Sequence, residues 1–142
     1  RRIFNSKEGP TQLQVVAAVR YITNGSYSEI IRGLLAEPVS AEMEPLRARI
    51  ATLADIYDES IAAVKAFENQ EVLDFLARRL YDMTGEIVMA LLLQRDATLA
   101  PDLFAKSARV MTQMAEETVH GKSAYIRAFK TEDLAAFRAV EA

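Results

Sequence analysis

Residues 44–67 read EPLRARIATLADIYDESIAAVKAF, and the placing of their apolar side chains decides the fold class. Leu46, Ile50, Leu53, Tyr57, Ile61, Val64 and Phe67 follow one another at steps of three and four, which stacks them on one face of a helix. Pro45 fits a first turn, where a missing N–H has no helical partner to lose. At a rise of about 1.5 Å per residue this helix spans roughly 35 Å. An apolar stripe of that length needs other helices along it.

Downstream, Asn69-Gln70 interrupts the pattern. A second stripe then runs through Val72, Phe75, Leu76, Leu80, Met83, Ile87 and Leu91 towards Gln94. Between Ile87 and Leu93 nearly every residue is apolar, which predicts a stretch enclosed by other helices at the centre of a bundle. Ala100-Pro101-Asp102 closes this segment and opens a third, with Leu103, Phe104, Val110, Met111, Met114, Thr118, Tyr125, Ile126 and Phe129 expected to face inward. Short links between long helices make neighbours antiparallel, so residues 45–129 are predicted to form an up-down-up three-helix bundle, followed from Thr131 by a short capped helix.

Upstream the chain is more punctuated. Glu8-Gly9-Pro10 is a turn signature, and Thr11 is placed to cap a helix over Gln12 to Ile22. Thr23-Asn24-Gly25-Ser26 breaks that helix, Ser28 is the expected cap for Glu29 to Ala36, and Pro38-Val39-Ser40 breaks the pattern again. The predicted fold class is therefore all-α: an antiparallel up-down-up helical bundle preceded by one or two shorter helices. No segment repeats another.

The composition agrees. In 142 residues the hydrophobic share is 51% and the charged share 26%, a balance that folds, and only 5 glycines and 4 prolines interrupt an alanine- and leucine-rich chain. A net charge of −3 with interspersed signs makes no footprint for a phosphate backbone, so nucleic acid is not an expected partner. The longest apolar run, Ile87 to Leu93, is far short of the roughly 20 residues a membrane span requires. With no cysteine there is neither a disulfide framework nor a thiolate nucleophile, which fits a reducing, cytoplasmic setting. Arg1-Arg2-Ile3, without an initiator methionine, suggests a piece of a longer protein.

Few residues carry chemistry by pattern alone. Glu117 and His120 have the Glu-x-x-His spacing of di-iron bundles, but such a site needs the motif twice plus two more glutamates. With 1 histidine in the chain, an ordinary helix surface near Gly121 explains the pair better, and no metal site is expected. Glu68, Glu71 and Asp74, like Asp55, Asp58 and Glu59, read as solvated helix faces with basic residues nearby rather than catalytic carboxylate pairs. Tyr81, Met83 and Met89 lie on or beside the central stripe and read as core filling. Glu8 differs because it stands in a glycine-containing turn just before a helix, where a loop residue can be presented on a rigid support.

The neighbours of Glu8 extend that point. Arg2-Ile3-Phe4-Asn5-Ser6-Lys7-Glu8-Gly9-Pro10-Thr11-Gln12-Leu13-Gln14 resembles, without a gap, the Arg-Ile-x-x-Ile-Tyr-Glu-Gly-Thr-x-Gln-Ile/Leu-Gln segment near the end of FAD-dependent acyl-CoA dehydrogenases. Val15 to Arg20 is similar to the family's last core helix. Ala77-Arg78-Arg79-Leu80-Tyr81-Asp82-Met83 and Leu103-Phe104-Ala105-Lys106-Ser107 resemble an extra C-terminal helical domain of some bacterial members. The resemblance implies an oxidoreductase that desaturates an acyl-CoA thioester between its α and β carbons, with FAD accepting the hydride, an electron-transfer partner downstream and a homo-oligomeric assembly. It implies that Glu8 takes the α-proton and that Gly9, Thr11 and Gln12 contribute to substrate or cofactor binding. Lys7 stands where the family usually has tyrosine and Pro10 where it usually has threonine, so an aromatic, a hydroxyl and a backbone N–H are exchanged.

The expected division is residues 1–37 as the end of the catalytic region and residues 38–142 as an appended helical bundle, with FAD not held by the isolated chain and the chain inactive alone. The contrasting expectation is a stand-alone, non-catalytic module for oligomerisation or interaction.

Overall fold

The computed structural model describes Val15 and residues 17–141, with side chains as far as Arg138. Helix α1 covers 17–23, α2 Ser26–Ala36, α3 Glu44–Ala66, α4 Gln70–Leu99, α5 Pro101–Ala128 and α6 Glu132–Glu141. All described elements are helices, and none is long and apolar enough to cross a membrane. The fold is the predicted one: three long helices in an up-down-up bundle, with two shorter helices before them and one after.

Cross-helix hydrogen bonds set the directions. Tyr57 meets Thr84 at 2.6 Å while Arg47 meets Gln94 at 3.0 Å, so α4 descends as α3 rises. Gln94 reaches Thr112 at 3.0 Å and Glu86 receives a bond from Thr118 at 3.2 Å, so α5 runs against α4. Arg109 with Glu42 and Arg49 with Glu116 then tie the outer edges of α5 to the first turns of α3 and the residues before it, in parallel.

The helix boundaries have local causes. Asn69 is more than an interruption: its Oδ1 accepts from the N–H groups of Glu71 and Val72 at 2.9 and 3.2 Å, capping α4, and Gln70 already belongs to the helix. A single residue, Ala100, separates α4 from α5, and Pro101 occupies the first turn where it costs no hydrogen bond. α2 starts earlier than Glu29, at Ser26, and Ser28 is not its cap. Gly25 takes the left-handed conformation at φ +91°, which glycine adopts without steric cost, and its carbonyl accepts the first helical bond from Glu29. Ser28 instead donates to Asp58 of α3 at 2.7 Å.

The core is centred on α4, where Val72, Leu76, Leu80, Met83, Ile87 and Leu91 have no exposed surface. They meet Ile50, Leu53, Tyr57 and Val64 of α3 and Ala115, Val119 and Ile126 of α5. At the end of the bundle that holds the α3–α4 turn, Phe129 stacks on Phe75 at 5.3 Å and meets Phe67 edge-on at 5.9 Å. Phe137 of α6 adds an edge contact to Phe75, and Arg138 pairs with Glu71, so α6 closes this end.

Two expectations are corrected. The stretch Ile87 to Leu93 is not enclosed on all sides: Met89 is half exposed, and Val88, Leu92 and Leu93 are only partly covered, because the short α1 and α2 cannot roof the whole outer face of α4. Met83 is core as expected, whereas Met89 is surface and Tyr81 is half-buried.

The inward face of α5 is also not the predicted one. Ile126 and Phe129 are buried, but Leu103 is 74% exposed, and Val110, Met114 and Tyr125 are exposed as well. The buried line is Ala105, Ala108, Thr112, Ala115, Val119, Ser123 and Ile126. Small residues there let α5 lie close to α3 and α4, an approach that leucine or methionine would block. Phe104, Met111 and Thr118 sit at the margin, half-buried. Tyr125 lies outside under the guanidinium of Arg79, 3.7 Å from the ring centre.

Candidate functional site

The residues singled out for chemistry, Glu8, Gly9, Thr11 and Gln12, lie outside the described residues, as do the Glu8-Gly9-Pro10 turn and the Thr11 cap. What is described is where the helix after them goes. Val15 and Val19 are buried against Ala77, with Leu73 and Tyr81 alongside, so α1 lies on the outer face of α4. This seat depends on Ala77, since a larger side chain would lift the helix.

Between α1 and the first half of α4 is an open cleft of about 720 Å³, lined by Val15, Val19, Arg20, Thr23, Gln70, Leu73, Asp74, Ala77 and Arg78. Its apolar floor is flanked by charges that are partly engaged: Gln70 donates to Asp74 at 2.8 Å, and Arg78 pairs with Asp82 at 3.5 Å. A second groove of about 300 Å³ opens further along α4, with Ala18, Ile22, Tyr27, Tyr81, Val88, Met89 and Leu92 on its walls. This is the face that α1 and α2 leave uncovered.

Several of the acidic groups are held in ion pairs. One guanidinium, Arg32 of α2, reaches both Asp55 and Asp58 at 2.8 Å. The hydrogen bonds that it donates to Asp58 and then Asp55 hold the Arg32 pKa above its ordinary value. Glu71 is matched by Arg138. The bond from Arg49 keeps the Glu116 carboxyl below the usual glutamate range. Glu117 and His120 are both exposed on the outer side of α5, and no three metal-ligating side chains cluster among the described residues.

One buried polar cluster escaped the sequence reading. Arg47 is 6% exposed, donates through Nε to Gln94 at 3.0 Å and through Nη1 to the carbonyls of Leu34 and Glu37 at 2.7 and 2.9 Å. Gln94 continues to Thr112, so one chain of bonds joins the end of α2 to α3, α4 and α5. Burial lowers the Arg47 pKa, and Glu37 and Glu44 oppose that shift. Its role is positioning: the Leu34 carbonyl, which also receives the Glu37 N–H, and the carbonyl of Glu37 just past the C-terminal end of α2 both receive a cation. A signal was available, because Arg47 falls on the stripe of Met43, Ile50, Ala54, Tyr57 and Ile61, where a surface arginine does not belong.

The comparisons with known proteins agree with this architecture. A family model described as "Acyl-CoA dehydrogenase C terminal" matches residues 23–134, from the end of α1 into α6. The solved crystal structure of the acyl-CoA dehydrogenase family protein from Porphyromonas gingivalis is similar with a TM-score of 0.74 and 36% sequence identity, covering 80% of this chain and 98% of that one. No curated protein matches. The family match extends over most of the chain and over all three bundle helices, and the likeness in structure is accompanied by likeness in sequence. This all-helical chain belongs to the acyl-CoA dehydrogenase C-terminal family.

Proposed function

We propose that the chain is the C-terminal part of an acyl-CoA dehydrogenase-like flavoenzyme, in which Glu8 takes the α-proton of an acyl-CoA thioester and the helical bundle has a structural role. The observation that carries this reading is sequential: a thirteen-position likeness to the dehydrogenase base segment, Arg2 to Gln14, runs directly ahead of the matched family region at residues 23–134. A carboxylate suits the task, since an α-C–H is weakly acidic and a base whose pKa is raised by desolvation is better matched to it. Gly9, Thr11 and Gln12 would shape that turn and contact substrate or cofactor.

The α4 N-terminus, which otherwise attracts phosphate, is capped by its own Asn69, and the adjoining cleft carries Asp74. FAD is therefore assigned to other parts of the parent enzyme, where it would accept the hydride, and the bundle alone is not expected to hold it. The bundle is assigned to packing on the catalytic core or on a neighbouring subunit of a homo-oligomer. An electron-transfer partner and a cytoplasmic location belong to the same reading. The sequence placed the junction between the two regions at residues 37 and 38. Arg47, Ser28 and Arg32 tie α2, the last helix before that junction, to the bundle.

The test is an anaerobic titration of the full-length protein with acyl-CoAs of graded length, following the flavin absorbance band. Bleaching is expected, and Glu8→Gln should abolish it while the flavin stays bound. Bleaching at an unchanged rate in Glu8→Gln would remove Glu8 from the base role. Absence of bleaching with every thioester would remove the dehydrogenation reading.

A further inference from the structure

Helix α1 is too short to hold its own place. Over 17–23 it falls well below the roughly 12 residues at which an isolated helix becomes even marginal in water, so its position is set by what it packs on. The bundle fixes it at two points. Near its end Ile22 has no exposed surface, and Lys65 Nζ of α3 donates to the Thr23 carbonyl at 3.0 Å. At its start Val15 and Val19, 7% and 9% exposed, bear on Ala77 of α4.

Ala77 is a notch between two large residues. Leu73 and Tyr81 stand four positions to either side of it on the same face of α4, and both pack against the two valines and Ala77. Val15 and Val19 are β-branched, so as parts of a helix they are stiff knobs. A slide of α1 along α4 would drive a valine into Leu73 or Tyr81. A larger residue at 77 would lift α1, since the axes of packed helices lie about 8 to 10 Å apart according to the side chains between them. The seat thus fixes α1 both along α4 and in its distance from it.

We propose that Ala77, flanked by Leu73 and Tyr81, is a positioning residue for Glu8, and that holding this helix is the part the bundle plays in the reaction. The inference rests on the reading of Glu8 as the base. Glu8 stands seven positions ahead of Val15 in the sequence, in the turn that leads into α1. The sequence pattern begins that helix at Gln12, which leaves a lever of four residues, Glu8 to Thr11, with one backbone angle fixed by Pro10. A misplacement of about 1 Å, caused far from the chemistry, is enough to cost on the order of a hundredfold in rate.

The test is anaerobic flavin reduction in the full-length protein, using the acyl-CoA that bleaches it best, for the wild type, Ala77→Leu, Val19→Ala and Ala77→Ser. Ala77→Leu crowds the seat and Val19→Ala loosens it. Each should slow reduction at saturating acyl-CoA at least tenfold, with the half-saturating concentration and the FAD content within about twofold of the wild type. Ala77→Ser, nearly the same size, should keep the rate. In the two slow variants the acid limb of the pH–rate profile should move to lower pH, because a carboxylate displaced from a desolvated site is better solvated and its pKa falls. Loss of fold alone would not move that limb. Unchanged rates and limbs in both Ala77→Leu and Val19→Ala, or losses that only follow lost FAD or a lowered melting temperature, overturn the positioning role and leave Glu8 as the base. A wild type that no thioester bleaches, or Glu8→Gln that bleaches at the normal rate, overturns the base reading and the positioning role with it.

Discussion

Helices α4 and α5 lie side by side and use their apolar residues in opposite ways. α4 buries Leu76, Leu80, Met83, Ile87 and Leu91 along its middle, while over most of its length α5 buries alanines, Thr112 and Val119, with Ile126 only near its end, and leaves Leu103, Val110 and Met114 outside. The difference follows from position. α4 fills the centre, between α3, α5 and the short N-terminal helices, where volume is needed. α5 lies against two helices at once, and its closeness to them is limited by the size of the residues between the backbones. Over the middle of the bundle, side-chain size therefore marks the interior on α4 and the exterior on α5.

Two substitutions on the same residue type would sharpen this contrast most. Leu80→Ala removes a fully buried side chain from the centre and should cost about 2–5 kcal/mol, through lost transfer energy and the cavity left behind. Leu103→Ala, measured at concentrations where the chain is monomeric, should change stability by no more than about 0.5 kcal/mol. Urea unfolding of both proteins gives the two numbers, and comparable losses would mean that Leu103 is covered within the monomer. The complementary change is Ala115→Leu on the buried side of α5, where the side chain has no exposed surface. Overpacking should cost about 1–3 kcal/mol, whereas a stabilised protein would show that α5 is not held close by small residues.

The sequence was most legible where large apolar residues and burial coincide. On α3 the stripe Leu46, Ile50, Leu53, Tyr57, Ile61 and Val64 is buried as predicted, and on α4 the stripe from Val72 to Leu91 is largely so. It misled on α5 because periodicity gives the spacing of a face and not which of two faces turns inward. There a line of alanines at the same period was the better indicator. The early start of α2 was hidden because Gly25 turns the chain in a left-handed conformation and Asn24, one residue before it, accepts the N–H of Ser26. Arg47 was visible as an anomaly, but its partners are carbonyls of Leu34 and Glu37, which only the folded chain brings to it. The residues named for catalysis came from likeness to a family segment, and their geometry lies outside the described residues, so the motif alone supports them.

α4 also carries a buried hydroxyl contact on each side, and the two differ in one testable respect. Facing α5, Gln94 and Thr112 have no titrating group between them, but facing α3, Thr84 meets the phenol of Tyr57 at 2.6 Å. Tyr57 has no exposed surface, and burial pushes its pKa up to about 12, only partly offset by the Thr84 bond. Folding thus favours the protonated phenol. Its contribution is complete below the unfolded tyrosine pKa near 10 and is lost as pH rises through the folded value. At neutral pH, Tyr57→Phe should cost only about 1 kcal/mol, because Thr84 keeps its bond to the Leu80 carbonyl. Between about pH 10 and 12 the wild-type chain should lose stability that the phenylalanine variant does not, so the gap between them closes and then reverses. Chemical denaturation at neutral pH and at intervals across that range checks the sign, and a gap that stays constant would mean that the Tyr57 phenol ionises as readily in the folded chain as in the unfolded one.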